Sequence, residues 1–426
     1  MNEIEAVGEE ALMQPLPDHG PVGKERPWLF GLLIAPSAVV MNGVIQGGVL
    51  AYLLSVQGIG SGRQSRLIFL LSLPSWLYFL WSPITDFFIR RRTWALLGGV
   101  LAAVSMAFAF RAGNLSSALS LTVMLLSACC SQLVVSSCGG MMGAMPSERN
   151  RRVASSFYQA GGMGFGALAA WVLIWLSSRT GRDELGLAAG LLIVIPALFA
   201  LAAPSHEISV GTVGATMRRV WGECKSTFFR WEAVPYTACM VFPIASGAAV
   251  SLLPGVARQF GVNGDSVAWM NGLAGGILVA AGSAAAAILP TRMRAATMYM
   301  IVALVNSATL CVLWLGPLRP STYYLGVTLY LFTIGTCYAM FTAVVLEFLG
   351  HSGKSGSGRY SIINSLGNVP VQYMLLLDGW GGDKWGGRGL AGVEAVVGAV
   401  GAVILLVYFL TEKRRNSPAD EAAVQA

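Results

Sequence analysis

The chain has 426 residues, of which 55% are hydrophobic and only 12% are charged, and its mean hydropathy is +0.64. Soluble domains average about 25% charged residues, so this composition excludes an ordinary soluble enzyme or binding domain. The net charge of +7 comes from short basic clusters between apolar stretches. That distribution indicates membrane topology and argues against a nucleic-acid partner.

Apolar stretches of about 20 residues can cross a bilayer, and in hydrocarbon they must be helical. Twelve such stretches predict an all-α membrane protein with 12 transmembrane helices that contacts the lipid bilayer on all sides. They are residues 28–56, 66–82, 94–112, 116–144, 153–178, 185–203, 231–257, 267–289, 295–316, 321–349, 360–377 and 390–410.

The loops between these helices carry an uneven charge. When they are assigned alternately to the two sides, most of the 28 Lys and Arg residues fall on the side of both termini. Positively charged loops stay in the cytoplasm, so both termini are expected to be cytoplasmic. The polar start of the chain has no apolar stretch of the signal-peptide type and is expected to be a tail.

A polar, basic segment between the sixth and seventh helices divides the chain into two six-helix halves. This division predicts five regions: tail 1–27, N-terminal half 28–203, cytoplasmic linker 204–230, C-terminal half 231–410 and tail 411–426. Two six-helix halves joined by a cytoplasmic linker are the plan of the major facilitator fold, in which solute binds between the halves.

Helix breakers occur at matching places in the two halves. The first helix of one half contains Pro36, Gly43, Gly47 and Gly48, and the first helix of the other contains Pro235, Pro243, Gly247 and Pro254. Interrupted membrane helices in corresponding positions indicate a binding site near the middle of the membrane.

Three stretches resemble one facilitator family. "FLWSPITDFFIRRRTWALLG" (79–98) is similar to the "FLWSPL-D…RRR-W" signature of the AmpG-type muropeptide permeases, in the peptide–acetyl-coenzyme A transporter family. "MPSERNRRVASSFYQAGGMGFG" (145–166) and "RYSIINSLGNVPVQYMLLLDGWGG" (359–382) resemble its fifth-helix entry and eleventh helix. Through this resemblance the chain is expected in a bacterial inner (plasma) membrane.

The fourth helix departs from the family pattern. Its "SQLVVSSCGGMMG" stretch (131–143) retains Gln132, but Leu133 and Ser137 stand where the family has acidic residues. Those acids are candidates for proton coupling in the family, so the departure bears on both the substrate and the coupling ion.

The resemblance implies a secondary active transporter that rocks its two halves about a central site. The solute is expected to be small and polar or amphipathic. More specifically, the resemblance implies a muropeptide-like sugar-peptide as the solute and transport coupled to protons. A drug or metabolite efflux antiporter is the alternative, and an integral-membrane enzyme or a non-transporting receptor is the second. Because metalloprotease and hydrolase motifs are missing from the sequence, we expect no enzyme, cofactor or metal site. A monomer is expected.

Polar side chains inside the predicted helices are candidates for the substrate cavity, because such groups usually face the bundle interior. The alternative for each is that amide and hydroxyl groups hold helices together. Asn42 and Gln46 are four residues apart and so share a helix face. The candidates are Asn42, Gln46, Gln132, Gln159, Tyr338, Asn364, Asn368 and Gln372.

Charged groups near the membrane faces are candidates for gating or proton coupling. They are Asp86, Arg90, Arg91, Arg92 and Glu347. The alternatives are that the arginines only anchor the topology and that the glutamate forms a structural pair. Asp378 is expected at the end of the eleventh helix, and Glu394, early in the twelfth, is expected at the membrane interface.

Overall fold

A computed structural model describes most of the chain. The described residues are 26–78, 84–85, 87–112, 114–145, 147–203, 228–289, 293–351 and 365–415, together with 214, 218, 221, 222 and 225 of the linker. Within them, nine helices are long and apolar enough to cross a membrane, and the last of these contains two helices. A 16-residue helix and a broken helix account for two more predicted segments, so the described residues are consistent with twelve crossings.

Most helices follow the predicted segments, but the second begins at Ser61 where residue 66 was predicted, and the eleventh continues to residue 384 where an end at 377 was predicted. The N half contains α1 (Leu29–Val56), α2 (Ser61–Trp76), α3 (Arg91–Arg111), α4 (Ala118–Gly143), α5 (Glu148–Ser177) and α6 (Arg182–Ala202). The C half contains α7a (Val234–Val241), α7b (Ala248–Val256), α8 (Gly264–Ala285), α9 (Ala295–Leu315), α10 (Pro320–His351), α11 (369–384) and α12 (387–415).

Helix starts are fixed by local hydrogen bonds. The side chains of Ser117, Ser147 and Asn263 each accept a hydrogen bond from a backbone N–H in the first turn of α4, α5 and α8. A polar N-cap satisfies a donor that would otherwise lie unpaired at the membrane surface. The turn between α11 and α12 needs only Trp385 and Gly386, and the glycine has φ +65°.

Helix α1 is irregular at the middle of the membrane. Residues Ala38–Ile45 form a π-helix, and the helix is interrupted at Gln46–Gly48 before it restarts at Val49. Gly48 has φ +90°, a conformation that residues with a side chain rarely adopt. π-Helical turns are often found at functional sites.

Helix α7 is interrupted at the corresponding place. Residues 242–247 separate α7a from α7b, and within them Ala245 and Gly247 have positive φ values of 45° and 75°. The first helix of each half is therefore interrupted, at Gly47 and Gly48 in one and at Pro243 and Gly247 in the other. The other predicted breakers lie within helical segments: Pro36, Gly43, Pro235 and Pro254.

The halves meet along three pairs of helices: α1 with α7b, α2 with α11 and α5 with α8. The last two pairs are equivalent under the pseudo-twofold relation between the halves. Small residues bring the backbones together, since Gly255 faces the Ala51 carbonyl and Gly379 faces Ser65.

The two membrane faces differ in how the halves meet. We call the face that carries loops 57–60, 178–181, 257–263 and 385–386 the far face, and the face that carries the start of α1 and the end of α12 the termini face. The contacts between halves described above lie towards the far face. The structure is therefore closed at the far face.

We expect Gly48→Ala to destabilise the protein more than Gly58→Ala. Both glycines have positive φ, so each substitution carries a backbone cost of about 1–2 kcal/mol. Only at Gly48 would the new Cβ also collide with Pro254 of α7b, and overpacking adds about 1–3 kcal/mol. Thermal unfolding in detergent measures the difference, and equal Tm values for the two variants would contradict this packing.

Candidate solute-binding site

A cavity of about 450 Å³ lies where the two helix breaks face each other. The N half contributes residues of α1 and α5, and the C half contributes the α7 break together with residues of α8 to α11. Met163 on α5 is 44% exposed, whereas further along α5 Ala167 contacts Gly276 of α8. The cavity thus opens towards the termini face and has the size of a small-molecule site.

Carboxamide groups form the polar part of the N-half wall. Asn42 is exposed to the cavity and donates from Nδ2 to the Gly162 carbonyl at 3.2 Å. Gln46 also lines the cavity, and its Nε2 has no hydrogen-bond partner within the described residues. This nitrogen is buried, so a rotation of the Gln46 side chain is needed to present it to a bound molecule.

The C-half wall combines aromatic rings with hydroxyl groups. Tyr299, Tyr338 and Phe341 line it, and the Tyr299 hydroxyl donates to the Ile244 carbonyl at 2.8 Å. The Tyr338 hydroxyl lies against Gly247, where a side chain on residue 247 would displace it. Rings with hydroxyl groups can stack on a sugar ring and also form hydrogen bonds.

The described lining of the cavity is uncharged. Its polar members are amides and hydroxyls, including Asn271, whose Nδ2 donates to the Tyr323 hydroxyl at 2.9 Å. A charged solute would have to leave water without an ionic partner in this wall, which is costly. The arrangement suits an uncharged, hydrogen-bonding solute.

The structure places four of the predicted cavity residues in the lining: Asn42, Gln46, Tyr338 and Asn368. Gln132 is buried in α4 and donates to the Ser131 hydroxyl at 3.3 Å, behind the wall. Gln372 is buried in α11 and Gln159 is exposed on α5, and both lie outside the described lining. Asn364 lies outside the described residues.

Three predicted gating residues belong to the arginine cluster at the start of α3. Arg91 donates from Nη1 to the Gly140 carbonyl at 2.6 Å, close to the C-terminal end of α4, where the helix dipole favours a cation. Arg90 is exposed at the N-cap of α3, and Arg92 is partly buried in its first turn. Asp86 lies outside the described residues.

Glu347 joins three helices of the C half. Its Oε1 accepts a hydrogen bond from the Tyr236 hydroxyl of α7a at 3.0 Å, and its Oε2 accepts from the Ala295 N–H at 3.1 Å. Ala295 is the first residue of α9, so the carboxylate interacts favourably with the positive end of that helix.

Polar contacts close the far face between the halves. The Arg179 guanidinium forms a two-point ion pair with Asp265 at 2.6 and 2.9 Å, and this contact raises the pKa of Arg179. The Asp383 carboxylate accepts from the Gly62 N–H at 2.7 Å, at the N-terminal end of α2. Both contacts must break if the far face opens.

The sequence did not single out several residues at this site. Ser246, Asn271 and Tyr299 line the cavity, and only their position within or beside a broken or glycine-containing helix could have marked them. Glu394, expected at the membrane interface, is only 4% exposed and accepts a hydrogen bond from Ser246 at 2.8 Å.

Comparisons with known proteins identify the fold. The family model for the Major Facilitator Superfamily matches residues 27–371. The structure superposes on a D-xylose-proton symporter with a TM-score of 0.66 at 12% identity, covering 89% of this chain and 95% of that one. A nucleoside transporter, NupG, gives 0.69 at 12% identity with 90% and 99% coverage. A peptide transporter, POT, gives 0.67 at 14% identity with 89% and 93% coverage. These identities show a shared fold alone, and no curated protein sequence matches the chain.

We expect Asp265→Ala to increase the population of molecules that are open at the far face, because the ion pair with Arg179 joins the halves. Asp183→Ala is the matched control, since Asp183 pairs with Arg111 at 2.7 Å within the N half. Spin labels at Glu184 and Lys384 report the distance across this face. The population of molecules with the longer distance between the labels should increase in Asp265→Ala only. Equal distance distributions in the two variants would contradict the assignment.

Proposed function

Because the chain belongs to the major facilitator superfamily, we propose that it is a secondary active transporter of a small, uncharged, polar solute. The solute carries hydroxyl and amide groups, as a disaccharide of N-acetylated amino sugars does. It binds between the halves and crosses the membrane when the far face opens and the termini face closes.

The observation that carries this proposal is the uncharged cavity between the two helix breaks. Its described wall offers the amides of Asn42 and Gln46 on one side and the rings and hydroxyls of Tyr299 and Tyr338 on the other. Amides bind hydroxyl and acetamido groups without a charge, and aromatic faces cover the apolar face of a sugar ring.

The uncharged lining also indicates which part of the sugar-peptide suggested by the resemblance would bind in the cavity. The stem peptide of a muropeptide carries carboxylates, which proteins usually bind with Arg or Lys. The described lining contains neither, so the cavity favours the sugar part of such a molecule over the acidic peptide.

Binding to the purified protein tests the charge preference of the site. N,N′-diacetylchitobiose, an uncharged disaccharide of two N-acetylated amino sugars, should bind saturably with a Kd between about 1 μM and 1 mM, the range in which enzymes usually hold their small substrates. An anhydro-muropeptide with its acidic peptide should bind more weakly. Binding of the muropeptide without N,N′-diacetylchitobiose would contradict the proposal, and binding of lipophilic cations alone would favour an efflux antiporter.

We expect Gln46→Leu to weaken solute binding without lowering stability. The Gln46 Nε2 has no protein partner within the described residues, so the loss of one ligand hydrogen bond of about 0.5–1.5 kcal/mol should raise the Kd roughly two- to twelvefold. Isothermal titration and thermal unfolding measure the two quantities.

Asn306→Leu is the matched control for this substitution. Asn306 is buried outside the described lining and donates to the Thr333 hydroxyl at 2.8 Å. Its loss should lower the Tm and leave the Kd unchanged. If Gln46→Leu lowers the Tm and leaves the Kd unchanged, the side chain has a packing role and the proposed contact is wrong.

A further inference from the structure

Two acidic side chains meet inside the C half, away from the described cavity lining. Asp378 of α11 and Glu394 of α12 lie on either side of the turn at Trp385 and Gly386, each about 10–12 Å from it along its helix. Asp378 is 0% exposed and Glu394 is 4% exposed. The two carboxyl groups interact directly with each other.

Protein groups donate hydrogen bonds to only one member of the pair within the described residues, Glu394. Glu394 Oε1 accepts from the Ser246 hydroxyl at 2.8 Å and from the Tyr330 hydroxyl at 3.4 Å. Neither oxygen of Asp378 faces a protein N–H or hydroxyl donor within the described residues. A fully buried carboxylate without a donor is costly, so Asp378 lacks what an ionised group needs.

The described residues around the pair supply no positive charge. The titratable groups that interact with the pair are the phenols of Tyr330, Tyr338 and Tyr373. The thiol of Cys337 interacts with the first two of these phenols. The other helices packed here contribute hydroxyls: Ser246 from the α7 break, Ser61 and Ser65 from α2, and Ser307 from α9. Within the part of the chain that the structure describes, none of these groups is a cation.

The contact between the two carboxyl groups limits the protonation states that they can adopt. Two ionised carboxylates in contact repel each other strongly in a medium of low polarity. A carboxyl group can donate a hydrogen bond only when it carries a proton. One shared proton removes the repulsion and supplies the missing hydrogen bond.

We propose that Asp378 and Glu394 form a proton-binding site in which protonated Asp378 donates to ionised Glu394. This inference rests on the proposed transport function for its role, because Ser246 belongs both to this site and to the cavity wall. The Glu394–Ser246 hydrogen bond thus connects the proton to the α7 break.

The release step moves one proton and no other atom. The O–H bond of Asp378 breaks, the proton passes to Glu394 and then to water in the cavity beside Ser246, and the pair is left with two negative charges. Their repulsion separates α11 from α12 or draws water to the α7 break, which changes the wall that the solute contacts. Rebinding of a proton reverses the change.

Infrared difference spectroscopy of the full chain in lipid, with hydrogen–deuterium exchange, tests the site directly. At neutral pH the wild type should show the carbonyl stretch of one protonated carboxylic acid, shifted by deuterium. Asp378→Asn should lose this band and stay folded, because the new amide can still donate to Glu394. Glu347→Gln is the control and should keep the band.

A second variant, Glu394→Gln, tests the site independently if Asp378→Asn does not fold. In Glu394→Gln the acceptor is an amide oxygen, so the band should shift or vanish. The proposal is wrong if the wild type has no such band, if the band survives unchanged in either pair variant, or if added Na⁺ replaces it. The spectrum is recorded without solute, so a missing band would contradict the proton site and leave the transport proposal standing. Conversely, a lack of solute binding would contradict the transport proposal and leave the band in place.

Discussion

The architecture depends on one constraint: a peptide group in hydrocarbon must find a hydrogen-bond partner inside the protein. A membrane helix can be interrupted only where other residues supply those partners. In the α7 break the Tyr299 hydroxyl donates to the Ile244 carbonyl at 2.8 Å, and the Tyr373 hydroxyl donates to the Val241 carbonyl at 2.7 Å. Ser246 accepts from the Ala248 N–H at 3.1 Å. The break is therefore confined to the junction of the halves, where it forms a cavity wall.

The same constraint keeps the uncharged polar groups of the cavity wall apart from the buried acidic pair. Uncharged amides and hydroxyls face the cavity, where a solute can satisfy them. The acidic pair Asp378 and Glu394 lies one residue behind the wall, with Ser246 between it and the solute space. This arrangement lets a change of charge act on the site without placing that charge against a neutral solute.

Much of the fold could be predicted from the sequence, because apolar length and helix breakers determine membrane helices locally. Membership of the superfamily and the two helix breaks are confirmed, whereas the AmpG-type resemblance stays a prediction. The acidic pair could not be predicted. The predicted eleventh and twelfth segments left the glycine-containing residues 378–389 outside the helices, which placed Glu394 near the membrane surface.

In the structure those glycines pack helices together. Gly381 faces Gly389 across the hairpin, and both helices continue until the chain turns at Trp385 and Gly386. Glu394 is thereby placed about two turns inside α12, opposite Asp378. Local sequence patterns do not show which glycines end a helix and which allow close approach, because that depends on the neighbouring helix. The eight-residue π-helix in α1 likewise depends on tertiary packing.

The most direct test of the account is whether transport requires the far face to open. A Cβ atom at Gly382 of α11 would lie 2.7 Å from the Ser61 Cβ of α2, so cysteines at both positions can form a disulfide after a shift of about 1 Å. Uptake of labelled N,N′-diacetylchitobiose into proteoliposomes should stop when this disulfide forms and return when it is reduced. Uptake at the full rate by the cross-linked protein would contradict alternating access between the two halves.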